Sequence, residues 1–232
     1  PPGYTLASQQ LTCDVSDTAS DTAIPSAQYE PIEAQMQVIR GDFAFRKIDE
    51  NLNPMAFIPF LLSYSNGETG DLIESHVLVT DANGDFSSDA ARTAHTNACN
   101  ANDAAVTLNP DDSYSVDATA LDPSNGIWFS MDHNGSTSEP NNMRGALPYG
   151  TYQLRELPCE ANIGMNLVTT QFTVYKDGFT STLDNIVNTT PAISSLVRDT
   201  QDKDKLLRPQ ANASLTNTLT YQNLVPGTSY TL

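Results

Sequence analysis

A lysine occupies an apolar position in Gly41-Asp42-Phe43-Ala44-Phe45-Arg46-Lys47-Ile48-Asp49. Side chains along a strand alternate between faces, so Phe43, Phe45 and Lys47 share one face while Asp42, Ala44 and Arg46 share the other. Thr151-Tyr152-Gln153-Leu154-Arg155-Glu156-Leu157 repeats the oddity with the opposite charge, since Tyr152, Leu154 and Glu156 point one way and Thr151, Gln153 and Arg155 the other. Burying either charge is costly unless it is paired or neutralised. A lysine at a strand end therefore snorkels to the rim, or it is used.

In an apolar pocket holding both groups, desolvation pushes the lysine pKa down and the glutamate pKa up. With the proton on Glu156, Lys47 carries a free amine, which is a nucleophile. The carboxylic acid can meanwhile polarise an amide oxygen and shuttle protons. An asparagine carboxamide held within reach would then give a Lys–Asn isopeptide bond and ammonia, once per molecule, driven by the effective concentration inside a folded core. Leu183-Asp184-Asn185-Ile186-Val187-Asn188 offers two asparagines of opposite parity. Both parities contain apolar residues, so alternation does not choose between Asn185 and Asn188.

The elements that must position these groups are strands. Strand-sized pieces are expected over residues 43–48, 57–64, 75–80, 127–131, 151–157, 167–175 and 183–188. Turn signals separate them, including Ser65-Asn66-Gly67, Ala82-Asn83-Gly84-Asp85, Asn125-Gly126, Tyr149-Gly150 and Lys176-Asp177-Gly178. No helical periodicity persists, which predicts an all-β antiparallel sandwich. Residues 87–125 turn polar and read as a long insertion. Residues 1–36 read as the tail of a preceding module plus a linker, with a strand near residues 10–15. Residues 37–190 form the sandwich, and residues 191–232 begin a following β module that could not bury a core alone.

Composition narrows the partners. The 232 residues carry 28 acidic and 11 basic side chains, a net charge of −17, which repels phosphate backbones and anionic lipid surfaces. Nucleic acid is excluded as an expected partner, and the apolar runs are too short to insert in a membrane. Cys13, Cys99 and Cys159 form no CxxC. In an extracytoplasmic setting a Cys99–Cys159 disulfide is one reading, and three small buried thiols are the other. No cofactor is expected. No metal is expected either: His76, His95 and His133 lie apart, and Asp81-Ala82-Asn83-Gly84-Asp85 reads as an Asn-Gly hairpin turn because its glycine is misplaced for an EF-hand. Trp128 reads as core. The sequons at Asn134, Asn188 and Asn212 would mark glycosylated loops in a eukaryotic protein, and a glycan on Asn188 would exclude the crosslink.

Taken in order, several stretches resemble the collagen-adhesin B-type, or SpaA-like pilin, domains of Gram-positive surface proteins. They are residues 41–49, Ile58-Pro59-Phe60, Glu74-Ser75-His76 with Val79-Thr80-Asp81-Ala82-Asn83-Gly84, Gly145-Ala146-Leu147-Pro148-Tyr149-Gly150 leading into Glu156, and the closing Asn188. The resemblance implies a prealbumin-like (immunoglobulin-like) sandwich in which Lys47 and Asn188 are joined with the assistance of Glu156. Pro2-Gly3-Tyr4 is similar to the segment that follows the glutamate of a preceding domain, and residues 221–232 resemble the start of a VaFE-type repeat. The implied protein is a cell-wall-attached extracellular pilin or adhesin stalk, not a turnover enzyme, whose partners are neighbouring modules of the same polypeptide. The alternative is a ligand-binding adhesin domain in which the insertion at residues 87–125 recognises a host protein or glycan.

Overall fold

Ten consecutive residues, Arg40–Asp49, form β1, the spine of one sheet. The computed structural model describes residues 2–5, 36–67, 69–201, 203–206 and 211–231. Cys13, the strand expected at 10–15 and the linker lie outside the described residues.

After β1 come β2 (Pro59–Ser65), β3 (Leu72–Val79), β4 (Asp85–Ser87), β5 (Val106–Leu108), β6 (Tyr114–Val116), β7 (Leu147–Pro148) and β8 (Gly150–Glu156). They are followed by β9 (Thr169–Val174), β10 (Thr180–Thr182), β11 (Ile186–Asn188), β12 (Ala192–Asp199) and β13 (Leu215–Gln222). The strands β3-β2-β8-β9 make an antiparallel four-stranded sheet. The second sheet has five strands: β7 and β4 run antiparallel along one edge of β1, and β10 and β11 run parallel along the other. The sandwich is thus all-β but mixed. The parallel pairing places the beginning of β1 far from the end of β11.

Aromatic rings join the two sheets. Phe43 stacks on Phe172 at 4.6 Å and Phe45 meets Phe60 edge-on at 5.1 Å, while within the four-stranded sheet Tyr64 stacks on its cross-strand partner Tyr152 at 4.8 Å. Alternation holds through the centre of β1, with Phe43, Phe45 and Lys47 inside and Arg46 exposed. It fails at the start, where Arg40 and Asp42 are buried. Arg40 lies 3.8 Å over the ring of Trp128 and donates to the carbonyls of Gly145, Phe129 and Ala146. Burial lowers its pKa to about 10. Asp42 accepts from Ser88 Oγ and the Ala146 amide. Residues 128–146 cover that end of the sheet, so its polar groups are satisfied by protein instead of water.

Residues 127–131, expected as a strand, form none: Met131 makes only an isolated bridge with Thr137. Their backbone is held mostly by side chains: Asn100 pairs with both polar groups of Trp128, and Glu74 accepts from the amides of Ser130 and Met131. Trp128 is core, as its neighbours suggested. The Asn83-Gly84 turn exists, but it is not a hairpin. It carries the chain from β3 in one sheet to β4 in the other. Gly84 has φ +74°, and a Cβ there would stand 2.5 Å from the Lys47 carbonyl oxygen, so this turn backs directly onto the site strand.

The insertion is structured. It contains a 3-10 helix, Ala101–Ala105, and the β5–β6 hairpin. Asp103 accepts from the Val77 amide on β3, covering part of an otherwise open edge.

Candidate crosslinking site

Lys47 and Asn188 come from adjacent parallel strands of the five-stranded sheet, with Asn188 in register with Asp49. Glu156 ends β8 in the opposite sheet, across from Phe60. All three are buried, at 0 %, 1 % and 2 % exposure for Lys47, Asn188 and Glu156. Because a glycan cannot be carried at that depth, the sequon at Asn188 is sterically closed in this fold.

The contacts form a closed triangle. Lys47 Nζ donates to Asn188 Oδ1 at 2.5 Å and to the Ile186 carbonyl at 3.3 Å. It stands 3.4 Å from Glu156 Oε2. Asn188 Nδ2 donates to Glu156 Oε1 at 2.6 Å. Burial holds the Lys47 ammonium below the usual lysine pKa, and the Glu156 charge offsets part of that effect. The carboxylate accepts two further N–H bonds, from the Val168 amide to Oε2 at 3.0 Å and from Asn162 Nδ2 to Oε1 at 3.0 Å.

Along β11, Ile186 and Asn188 face inward while Val187 faces out. Asn185 is exposed and does not meet Lys47. The structure therefore gathers Lys47, Glu156 and Asn188, and leaves Asn185 outside. Asn162 joins them unannounced. It lies in the 3-10 turn Glu160–Asn162, where no strand period operates, and its only signal was an amide residue able to brace a tight turn three residues after Cys159.

The cysteine pairing is corrected. Cys99 and Cys159 are free thiols in different surroundings. Cys99 Sγ accepts from the Thr96 amide within the insertion, whereas Cys159 opens the turn beside Glu156. Burial raises both thiol pKa values.

Buried His76 and the partly exposed carboxylates of Glu74 and Asp103 form a second cluster. The imidazole bonds Asp103 through Nδ1 and Glu74 through Nε2, each at 2.8 Å. Burial opposes its charge, but the two carboxylates prevail and raise its pKa to about 9. Among the described residues no group of His, Cys, Asp and Glu is arranged to hold a metal ion, and no helix is long and apolar enough to cross a membrane.

No protein-family model and no curated protein matches the chain. Several solved structures are loosely similar, among them three bacterial proteins. The Bacillus anthracis TIE protein matches at 11% identity and a TM-score of 0.33 over 80% of this chain and 28% of its own. The major pilin SpaD from Corynebacterium diphtheriae matches at 10% identity and 0.33 over 69% and 33%. A streptococcal ancillary pilin matches at 12% identity and 0.34 over 86% and 53%. The chain spans between about a quarter and a half of these proteins. Functional meaning must come from the Lys47–Glu156–Asn188 geometry itself.

Proposed function

We propose that the chain is a mechanical module of a Gram-positive cell-surface pilin or adhesin stalk, hardened by a spontaneous Lys47–Asn188 isopeptide bond that Glu156 assists. The observation that carries this reading is the buried amine held 2.5 Å from the Asn188 carboxamide oxygen with a carboxylate touching both partners.

Lys47 passes a proton from Nζ to Glu156 Oε2. The free amine attacks Cγ of Asn188, forming the Nζ–Cγ bond. Nitrogen Nζ gives up a second proton as the intermediate collapses, and the proton held by Glu156 reaches Nδ2, whose bond to Cγ breaks. Ammonia leaves, Glu156 is restored as the base that takes up the second proton, and one amide has replaced another. Burial favours the step by lowering the cost of the neutral amine, and the fold supplies the proximity. Extracellular, wall-attached placement and assembly with neighbouring β modules follow from this reading and from the ordered motifs.

Intact mass under denaturing, reducing conditions tests it. The expected mass is short of the sequence mass by one ammonia. Asn188→Ala should show its full sequence mass, while Asn185→Ala should still lose ammonia. A full-length mass for the unsubstituted protein would overturn the crosslink.

A further inference from the structure

In the proposed reaction the two oxygens of Glu156 face different tasks. Oε2 stands 3.4 Å from the amine, and Oε1 stands 2.6 Å from the nitrogen that must leave. A carboxylate free to rotate would exchange or lose these roles. Val168 fixes Oε2 with its backbone amide. Oε1 is fixed from a side chain: Asn162 Nδ2 donates to it at 3.0 Å and to the Leu157 carbonyl at 2.9 Å. The orientation of Asn162 is set in turn by its own Oδ1, which accepts from the Cys159 amide at 2.8 Å. Asn162 is itself buried, at 2 % exposure.

We infer that Asn162 is a positioning residue for the crosslink, holding Glu156 Oε1 against the leaving nitrogen of Asn188. The inference rests on the proposed isopeptide bond. Asn162 touches neither Lys47 nor Asn188 through any hydrogen bond among the described residues, so it acts through Glu156. Occupying one side of Oε1, it leaves the other to Asn188.

The two ends of Asn162 separate positioning from mere support. Asn162→Asp keeps an oxygen for the Cys159 amide, and so keeps the turn, but it replaces the donor with a second carboxylate beside Glu156. At neutral pH like charges then push Glu156 out of place. At lower pH a proton shared between the carboxyls restores a donor. The experiment follows ammonia loss by intact mass in freshly synthesised protein, wild type beside Asn162→Asp and Asn162→Ala, from about pH 8 to about pH 5. Near-ultraviolet circular dichroism confirms the fold of each.

The expected result is that Asn162→Asp converts at least about tenfold more slowly than wild type at neutral pH. That deficit should narrow as the pH falls, while Asn162→Ala should stay slow throughout. Wild-type rates in Asn162→Asp, or a deficit independent of pH, would overturn the positioning role and leave the crosslink standing. A wild-type protein that never loses ammonia would overturn the crosslink and this inference together. Should Asn162→Ala fail to fold, the pH profile of Asn162→Asp still decides.

Discussion

Lys47 and Glu156 depend on one another unequally. Without Lys47, Glu156 still accepts N–H bonds from Val168, Asn162 and Asn188. Without Glu156, the Lys47 ammonium keeps only two neutral oxygens, of Asn188 and Ile186. Neither Lys47→Met nor Glu156→Ala can crosslink through this route, so the two are comparable. Glu156→Ala should be the less stable by on the order of 2 kcal/mol, because it strands a buried charge with fewer partners. Urea denaturation checks this, and equal midpoints would contradict it. Glu156→Gln should fold and retain its ammonia. Lys47 and Glu156 were legible because each breaks a period-2 pattern in an otherwise apolar set. Asn188 needed the family resemblance, since Ile186 and Val187 balance the parities. Asn162 was hidden because a turn residue reaches its partner through the fold, not through periodicity.

The elements around the site also carry a titrating contact. His76 on β3 bonds Asp103 of the insertion and Glu74 of its own strand, and its pKa is raised from 6.5 to about 9. A raised histidine pKa gives stability that is fully present below about pH 6.5 and is lost as pH rises through about 9. The shift corresponds to on the order of 3 kcal/mol. Stability against thermal unfolding should therefore fall as pH rises between those values, and His76→Gln should flatten that part of the profile. An unchanged slope in the variant would exclude His76 as its source. No local pattern foretold this link, nor the loss of strand structure at residues 127–131. Both arise where polar side chains distant in sequence, Asp103 for His76 and Glu74 and Asn100 for the 127–131 backbone, outcompete a ladder that composition alone favours. The sheet strands themselves were readable because core burial repeats every second residue.

For the whole molecule, tension applied before β1 and after β11 would meet the proposed bond first. Lys47 and Asn188 are separated by 141 residues, which at about 3.4 Å per residue represents about 480 Å of extension withheld from a stretched chain. Single-molecule pulling should show that length released in Glu156→Gln and absent in wild type. Equal extensions would argue against a bond that carries load. The free thiols Cys99 and Cys159 and the whole insertion lie within the withheld stretch, so sequence changes there would meet little mechanical selection.

The parallel alignment of β1 with β11 has one more effect. Gly3 hydrogen-bonds Ile39 just before β1, whereas Asn223, beyond β13, bonds Glu50 just after it. The chain thus arrives at one pole of the sandwich and departs from the other, some ten residues of strand away, or about 33 Å. Copies or neighbours joined through these poles would stack as a linear string instead of doubling back, with each domain contributing its full height to reach.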